Sequence, residues 1–456
     1  MTNPVIDILK HIESQGISYV SWKNNHELPK VLDGKSDLDI IVSSDITVLR
    51  KVLVNSSWIE TESYQANLDG VYHFYLFTLS RSFHLHVYTV FRTGHSWLKE
   101  LHFPYKSSLI ARRVRDNAGI WKLNPLAQQW IFTLRLFLKS YSNSSRYLYH
   151  SDLDSYANEM NNIPLDNYTK RLILKSFNKD LKEDHIYDLS TYIPDRGLAL
   201  KIRKRLGKFY LNQRCNLYLS FVKRLLGKFG IVNPKKKIYK SGVIISFTGG
   251  DGSGKSTIIS NLYRCYHQDL RSKILYLGRP QLSVINGKKQ RNNVSPQSSE
   301  VPSYKKIIKA NGLALLRLVA SIRAIYYKRL GYLVLADRWP TDQLGLMDGP
   351  KLTVEKKASL RFLPALLEAR IYRMIPECDL CVYLDVDIHT AVERNRDRVK
   401  INKETNEEII ARHSHNKSIK PKAKKILYHD NNGSLESSMD KLFEIIANHI
   451  NLNNGN

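Results

Sequence analysis

A glycine-rich run carries the residue types that bind nucleotide phosphates. Residues 243–257 read V-I-I-S-F-T-G-G-D-G-S-G-K-S-T, a short apolar strand followed by the P-loop pattern G-x-x-x-x-G-K-[ST]. The glycines let successive backbone N–H groups point at phosphate oxygens. Lys255 would place a positive charge on the β- and γ-phosphates, and Ser256 would offer a hydroxyl ligand to Mg²⁺. We therefore predict a nucleoside triphosphate site formed by Gly249, Gly250, Gly252, Ser253, Gly254, Lys255, Ser256 and Thr257.

Two aspartates near the start of the chain have the spacing of a metal site. Asp37 and Asp39 lie in S-D-L-D-I-I-V, where strand alternation would put both carboxylates on one face. Because like charges side by side repel, such a pair usually serves a cation. The sequence therefore predicts a metal site at Asp37 and Asp39, with a solvated strand face as the alternative.

Further polar residues surround predicted strands in the second half of the chain. Asp337 and Arg338 follow a strand at 332–336, and Asp385 follows a strand at 381–384. Cys378 and Cys381 form a C-x-x-C pair, but the sequence offers no second pair and no nearby histidines. We therefore expect both cysteines to enter a buried strand, with metal binding or redox chemistry as the alternative.

The elements that position these residues alternate between strands and helices. Strands at 243–247, 273–277, 332–336 and 381–384 alternate with helices at 258–266, 310–330 and 360–375. This alternation predicts an α/β fold with a parallel sheet and helices on both faces. Ligands of such sheets bind at the carboxyl ends of the strands, where the glycine run falls. Residues 287–302 are polar and aperiodic, and we interpret them either as a mobile loop beside the acceptor site or as disorder.

The first half of the chain has a different pattern. A helix at 5–16, strands at 17–22 and 36–42, a helix at 46–54 and strands at 71–79 and 83–91 predict a small α+β domain. From residue 124 the pattern turns helical. We therefore divide the chain into an α+β domain at 1–123, a helical region with a basic connector at 124–240, and a P-loop domain at 241–456.

The net charge of +28 favours anionic partners, and half of it lies in one segment. Residues 196–240 contain 14 basic residues and no acidic one. Basic and apolar residues interleave there at helical spacing, which is typical of a helix lying on an anionic membrane or of a connector packing its apolar face on a neighbouring domain. No signal peptide and no apolar run of spanning length occurs. We expect a cytoplasmic protein, peripheral at the inner membrane face if the connector binds lipid.

Three motifs in order resemble the thymidylate kinase family of P-loop nucleoside monophosphate kinases over about residues 240–450. They are F-T-G-G-D-G-S-G-K-S-T, G-Y-L-V-L-A-D-R-W, and C-D-L-C-V-Y-L-D-V-D followed by A-V-E-R-N-R-D-R. The resemblance implies that Lys255 and Ser256 hold ATP and Mg²⁺ and that Asp337 lies at the metal. It also implies that Arg338 grips the acceptor phosphate and that Asp251 contacts an acceptor hydroxyl. By the same resemblance, three lid arginines close over the transferring group: Arg394, Arg396 and Arg398.

The sequence departs from this family where the acceptor base would be read. The glutamate-proline-diglycine run is missing, and Gly278-Arg279-Pro280 stands in its place. The segment after Trp339 reads P-T-D-Q-L-G-L-M-D-G-P, where the family has a serine and an alanine-tyrosine-glutamine. The arginine that would orient thymine has only approximate counterparts in Arg317 and Arg323. We therefore expect an acceptor other than free dTMP.

The first 140 residues resemble the nucleotidyltransferase fold, in which D-x-D carboxylates hold the metal of a nucleoside triphosphate. The family's Gly-Ser is absent, and Ser21, Trp22 and Lys23 are the nearest candidates. The third carboxylate of the family is replaced by His84 or His86 in F-H-L-H-V. The resemblance therefore implies either nucleotidyl transfer or a domain that binds without catalysing.

Together these patterns predict an ATP- and Mg²⁺-dependent kinase. By analogy with similar fusions, the acceptor would be a sugar, a polyol or a glycan terminus in surface polysaccharide assembly. One alternative is an ordinary nucleoside monophosphate kinase. The other is a nucleotide-dependent nucleic-acid-binding protein, which the net charge suggests but no sequence-reading motif supports.

Overall fold

The computed structural model divides the chain into two compact units, Met1–Lys236 and Lys237–Asn456. It describes residues 3–63, 68–94, 99, 101–139, 159, 167, 171, 175, 196–206, 222–223, 225–227, 229, 233–250, 252–278, 280, 304–352, 362–396 and 419–455. The division into three domains stays a prediction, but the end of the first unit lies within a few residues of the expected start of the P-loop domain.

The first unit combines short helices with a mixed sheet. Its helices are α1 (Pro4–Ser14), α2 (Leu28–Leu32), α3 (Ile46–Asn55), α4 (Lys106–Ala111), α5 (Pro125–Lys139) and α6 (Arg196–Arg205), with a 3₁₀ turn at Asn25–Glu27. Its strands are β1 (Tyr19–Lys23), β2 (Leu38–Val42), β3 (Ile59–Glu62), β4 (Val71–Phe77), β5 (Ser82–Tyr88), β6 (Phe91–Thr93), β7 (Leu101–Phe103), β8 (Val114–Arg115) and β9 (Trp121–Lys122).

The large sheet of this unit brings distant segments of sequence side by side. Its strands run in the order β3-β4-β5-β2-β1-β9-β8. β2 pairs with β5 in parallel, so that Asp39 lies opposite His86, while β4 and β1 flank this pair in antiparallel orientation. Because side chains alternate along strands, one face of β2, β4 and β5 carries the aspartates and the histidines together.

Apolar side chains at helical spacing anchor the helices to the first unit. In α1 the side chain of Asn3 caps the first turn, and Val5, Ile8 and Ile12 are buried. Buried residues of α5 share a core with β1, and Ile202 of α6 packs into that same core. The first helix of the basic connector is thus held by apolar packing, as one of the two interpretations of this segment expects.

The second unit is a parallel sheet with helices between its strands. Its strands are β10 (Lys237–Ile238), β11 (Val243–Thr248), β12 (Ser272–Tyr276), β13 (Leu333–Asp337), β14 (Leu380–Asp385) and β15 (Ile426–Asp430). Its helices are α7 (Lys255–Asp269), α8 (Tyr304–Arg329), α9 (Phe362–Met374), α10 (Ile388–Arg396) and α11 (Leu435–Gly455). Helix α8 begins six residues before the predicted start.

Five strands of this unit form the sheet in the order β12-β13-β11-β14-β15, and all neighbours pair in parallel. Every residue of β11 is buried, so both faces of the sheet are covered. Residues of α8 pack with Ile244, Val334 and Ala336 on one of those faces. The prediction of an α/β fold with a parallel sheet and helices on both faces is confirmed, and the P-loop follows the central strand of that sheet.

Two further expectations concern the cysteines and the membrane. Cys378 and Cys381 are free and buried at the start of β14, as the buried-strand interpretation expects. Burial raises the pKa of the Cys381 thiol to about 12. Within the part of the chain that the structure describes, no helix is both long and apolar enough to cross a bilayer.

Candidate functional site

The glycine run forms a tight loop between β11 and α7. Gly249, Gly252 and Gly254 have φ angles of +147°, +87° and +81°, in the region that side chains disfavour. A Cβ on Gly249 would lie 2.5 Å from the carbonyl oxygen of Leu384, and one on Gly252 would lie 2.5 Å from that of Ala391. Glycine is therefore required at these positions both by backbone conformation and by close approach.

Lys255 begins α7 and turns its ammonium group into the loop. Its Nζ donates to the carbonyl oxygens of Gly249 at 3.0 Å and Gly250 at 2.6 Å, and to Ser253 Oγ at 3.1 Å. The residue is only 7% exposed, so its charge is concentrated inside the loop. Ser256 and Thr257 are exposed in the first turn of α7, the positive end of the helix dipole. The loop therefore presents an ammonium, hydroxyl groups and a helix start to an anion.

Residues from the far end of the chain brace this loop. Asn431, which follows β15, donates from Nδ2 to the carbonyl oxygen of Ser253 at 2.8 Å. Arg394 on α10 donates to the carbonyl oxygen of Gly433 at 3.3 Å. Its Nη1 lies 3.9 Å from the position that a Cβ of Gly254 would occupy. The structure thus brings one predicted lid arginine to the P-loop and adds Asn431, which sequence reasoning missed.

Asp337 and Arg338 lie at the carboxyl end of β13, beside the strand that enters the P-loop. Asp337 is opposite Phe247 of β11 in the parallel register, and the N–H of Arg338 donates to the carbonyl oxygen of Phe247 at 3.0 Å. Arg338 has a φ of +67°, which turns the chain sharply at the strand end. The Asp337 carboxylate and the Ser256 hydroxyl are oxygen ligands of the kind that Mg²⁺ prefers, so the chemistry of both side chains suits the predicted metal, whose site stays a prediction.

A buried ionic cluster lies next to Arg338. Asp348 accepts from Arg317 Nη2 at 2.6 Å and from Arg338 Nη1 at 3.3 Å. Arg317 is 3% exposed and donates also to the carbonyl oxygens of Leu277 and Gly278 and to the hydroxyl of Tyr372. Arg323, the other approximate counterpart of a base-reading arginine, is exposed and bonded to Tyr327 on its own helix. The guanidinium of Arg317 is therefore committed to internal partners.

Some predicted site residues lie outside the described residues. They are Asp251, Arg398, the side chain of Arg396, Arg279 and the 287–302 segment. The roles expected for them stay predictions.

The first unit holds Asp37 and Asp39 in a second charged site. His84 Nδ1 lies 2.7 Å from Asp37 Oδ1, and His86 Nδ1 lies 2.8 Å from Asp39 Oδ1. Lys23 Nζ also lies 2.8 Å from Asp39 Oδ1, and the side chain of Asp39 is fully buried. Burial raises the pKa of Asp37, but the His84 charge and hydrogen bond outweigh it and hold that pKa below its usual value.

Two lysines complete this cluster from the opposite side of the histidine rings. Lys236 Nζ lies 3.1 Å from His84 Nε2 and donates to the hydroxyl of Tyr75 at 2.6 Å. Lys99 Nζ lies 3.0 Å from His86 Nε2 and donates to the hydroxyl of Tyr88 at 2.6 Å. The sheet face therefore carries two Asp–His–Lys–Tyr chains side by side. Burial and the neighbouring lysines lower the pKa of both histidines.

The side chains that contact Asp37 and Asp39 bear on whether these two carboxylates could bind a metal ion. Nitrogen donors already engage the carboxylates, which matches Mg²⁺ poorly because that ion prefers oxygen ligands. Among the described residues, no group of three or more His, Cys, Asp or Glu side chains is arranged to hold a metal ion. The metal site at Asp37 and Asp39 stays a prediction, and no step is derived through it.

Three comparisons with known proteins were informative about the chain to different degrees. No protein-family model matches the chain. The chain is 28% identical over an alignment of 176 residues to the uncharacterized ATP-binding protein YghR of Escherichia coli K12. The match covers 34% of this chain and 69% of YghR, and the values are the same for YghR of E. coli strain CFT073.

Solved structures similar to the chain include a thymidylate kinase and a deoxyadenosine kinase. A thymidylate kinase from Candida albicans is 17% identical, with a TM-score of 0.27, over 46% of this chain and 94% of that one. The deoxyadenosine kinase from M. mycoides with bound dATP is 12% identical, with a TM-score of 0.25, over 45% of this chain and 98% of that one. The fold assignment above rests on the strand order and the P-loop of the chain itself.

Proposed function

We propose that the second unit is an ATP- and Mg²⁺-dependent phosphotransferase. The observation that supports this most is the position of Lys255, whose buried ammonium lies inside a glycine loop at the carboxyl end of a parallel sheet. Arg394 lies beside the same loop, and Asp337 and Arg338 end the neighbouring strand. The ATP-binding description of YghR, over the 176 residues that match, agrees with this choice of nucleotide.

The residues of the site would act mainly by position and charge. The loop N–H groups and Lys255 would hold the β- and γ-phosphates, and Arg394 would neutralise charge that spreads over the transferring phosphoryl group. Ser256 and Asp337 would hold Mg²⁺, which would supply further positive charge to the phosphates. The acceptor oxygen forms a bond to the γ-phosphorus as the bond to the β–γ bridging oxygen breaks, the acceptor hydroxyl loses its proton to solvent, and ADP leaves. Arg398 and Asp251 would complete the site as lid arginine and acceptor contact.

For the acceptor we propose a sugar, a polyol or a glycan terminus. The guanidinium of Arg317 donates hydrogen bonds to Leu277, Gly278, Asp348 and Tyr372. It is therefore poorly suited to orient a nucleobase. The assignment to polysaccharide assembly rests on analogy with similar fusions. A nucleoside monophosphate kinase is the alternative, and nucleic-acid binding is less well supported because the sequence carries no motif that reads nucleic-acid sequence.

Replacing Lys255 by alanine tests the proposal. We expect phosphoryl transfer from ATP to fall by two or more orders of magnitude, because the transition state loses a buried positive charge. The measurement is ADP formation against a panel of nucleotides, sugars, polyols and glycans. Lys441→Ala, at an exposed lysine of α11, is the matched control and should keep wild-type turnover. Near-normal turnover in Lys255→Ala would contradict the kinase assignment.

A further inference from the structure

The acceptor end of the second unit contains a carboxylate where a phosphorylated acceptor would need positive charge. We propose, building on the phosphotransferase function above, that Asp348 selects an uncharged, hydroxyl-bearing acceptor and excludes phosphomonoesters. This proposal goes beyond the kinase assignment because it states the charge of the acceptor and names the residue that discriminates between charged and uncharged acceptors.

The first step concerns what Arg338 faces. Arg338 stands at the carboxyl end of β13 next to the P-loop strand, where an acceptor must approach the γ-phosphate. Its Nη1 lies 3.3 Å from Asp348 Oδ2. The second carboxylate oxygen of Asp348 lies 2.6 Å from Arg317. The carboxylate therefore engages one Nη atom of the arginine that, by the family resemblance, would hold an acceptor phosphate.

The second step concerns how firmly Asp348 is placed. The residue is 8% exposed and has a φ of +64°, a left-handed turn conformation that aspartate adopts more readily than most residues. Its loop is closed by backbone bonds from Gly345 to Pro350 at 2.9 Å and from Gly349 to Leu346 at 3.1 Å. A Cβ on Gly349 would lie 2.2 Å from the carbonyl oxygen of Gln343, so the chain passes itself closely here.

Contacts from other elements hold the same loop from two sides. Glu368 of α9 accepts from the N–H groups of Lys351 at 3.1 Å and Leu352 at 2.8 Å. Thr341 donates from its hydroxyl to the carbonyl oxygen of Lys420 at 2.8 Å. Because the loop is fixed at both ends, Asp348 cannot easily withdraw to make room for a phosphate.

The third step is the chemistry of selection. A phosphomonoester bound at Arg338 would bring two negative charges next to a fixed carboxylate in a poorly solvated place, and like-charge contacts of this kind disfavour the wrong ligand. A sugar or polyol instead donates a hydroxyl hydrogen to the carboxylate and accepts from the guanidinium of Arg338. A charge-assisted hydrogen bond of that type strengthens binding and fixes the orientation of the acceptor.

The experiment compares charged and uncharged acceptors in Asp348→Asn and wild type. Binding of dTMP is measured by calorimetry with ADP and Mg²⁺ saturating the P-loop, and turnover is measured with dTMP and with a panel of hexoses, polyols and dephosphorylated oligosaccharides. We expect dTMP to bind at least about tenfold more tightly to Asp348→Asn, because a like charge is removed. Turnover of the uncharged acceptor that the wild type uses should fall by about tenfold.

Two further variants keep the result interpretable. Asp342→Asn makes the same change at an exposed aspartate of the same loop and should behave as wild type. Asp348→Glu retains the charge and should still exclude dTMP even if the loop shifts, which covers the case in which Asp348→Asn fails to fold.

Two outcomes would overturn the inference: wild-type binding of dTMP as tight as in Asp348→Asn, or measurable wild-type turnover of dTMP at or above that of the best uncharged acceptor. Because dTMP binding is read without ATP turnover, these outcomes are separate from failure of the kinase assignment, which would show as absent turnover with every acceptor.

Discussion

Buried carboxylates in both units are held by cationic or hydrogen-bonding partners. Asp39 pairs with Lys23 and His86, and Asp379 accepts from Lys328 at 2.5 Å and from the N–H of Ile244 at 2.9 Å. Removal of one member leaves the others buried without their counter-charge, which costs more than the pair itself contributes. The consequences differ between the fully buried Asp39 and the half-exposed Asp37, and that difference makes the D-x-D pair testable.

Asp39→Ala should destabilise the first unit by about 3–5 kcal/mol, because Lys23 and His86 lose a buried partner. Asp37→Ala should cost less, since the side chain of Asp37 is 54% exposed. Chemical denaturation of the two variants measures both values. Equal costs would show that the buried ion pair does not determine the stability of this face.

The milder Asp37→Ala variant is the better test of nucleotidyl transfer. If Asp37 and Asp39 hold a metal for that reaction, pyrophosphate release from nucleoside triphosphates should vanish in Asp37→Ala and in Asp39→Ala and persist in Lys255→Ala. A wild-type protein that releases no pyrophosphate with any triphosphate and acceptor would instead make the first unit a binding module.

At the scale of elements, strands β4 and β5 bring three histidines together on one sheet face, beside the aspartate of β2. The rings of His73 and His86 stack with centroids 4.2 Å apart, and His84 stacks on Tyr75 at 4.3 Å. Burial, followed by the neighbouring His86 and then Lys236, lowers the pKa of His73 well below its usual 6.5. The pKa values of His84 and His86 shift in the same direction.

This face should make the first unit sensitive to mild acid. Unfolded histidines take up protons below about pH 6.5, whereas the folded ones resist, so stability is fully present above that pH and is lost as the pH falls. The loss approaches about 1.4 kcal/mol per pH unit for each histidine involved. Fluorescence-detected unfolding between pH 5 and 8 measures it, with Trp339→Phe placing every remaining tryptophan in the first unit.

His73→Gln serves as the control for that measurement. It keeps a polar side chain at the same place but removes one titrating group, so the pH dependence should become shallower. An unchanged slope would assign the acid sensitivity to other groups.

Strand and helix types were largely readable from the sequence, because the P-loop spacing and the alternation of apolar runs are local. The partners of the site residues were not readable, since they come from distant segments. Lys236 lies 152 residues from His84, and Asn431 lies 178 residues from Ser253. The sequence indicates that the histidines of F-H-L-H-V replace a carboxylate. Only the parallel pairing of β2 with β5 shows that they contact Asp37 and Asp39. Nothing in local pattern marked Asp348 as the partner of two arginines.

At the scale of the whole molecule, the basic connector (residues 196–240) has apolar residues that are buried and apolar residues that are exposed. Ile202 is buried in the first unit's core, and Leu206 packs against that core, so the start of the segment is committed to protein contacts. Phe229 is 75% exposed. Any lipid contact is therefore expected in the later part of the segment, where the apolar residues include Leu217, Phe221, Leu225 and Phe229.

Liposome sedimentation tests attachment of the connector to a membrane. Each basic residue near an anionic leaflet contributes about 1 kcal/mol, so the protein should sediment with anionic vesicles at low salt and be released at high salt. Phe229→Ser should weaken this binding, whereas Leu435→Ser, at an exposed apolar residue of α11, should not. Equal sedimentation with neutral and anionic vesicles would contradict membrane attachment and favour the interpretation of a connector that packs on protein.

Two buried thiols, Cys378 just before β14 and Cys381 within it, allow opening of the second unit's sheet to be measured in solution. Cys378 and Cys381 are fully buried, and β14 pairs with β11, the strand that leads into the P-loop. A thiol reagent can therefore modify them only when this part of the sheet opens, and the labelling rate reports the free energy of that opening. In a chain with Cys215 and Cys265 replaced by serine, slower modification on addition of a nucleotide would give its binding energy without any knowledge of the acceptor.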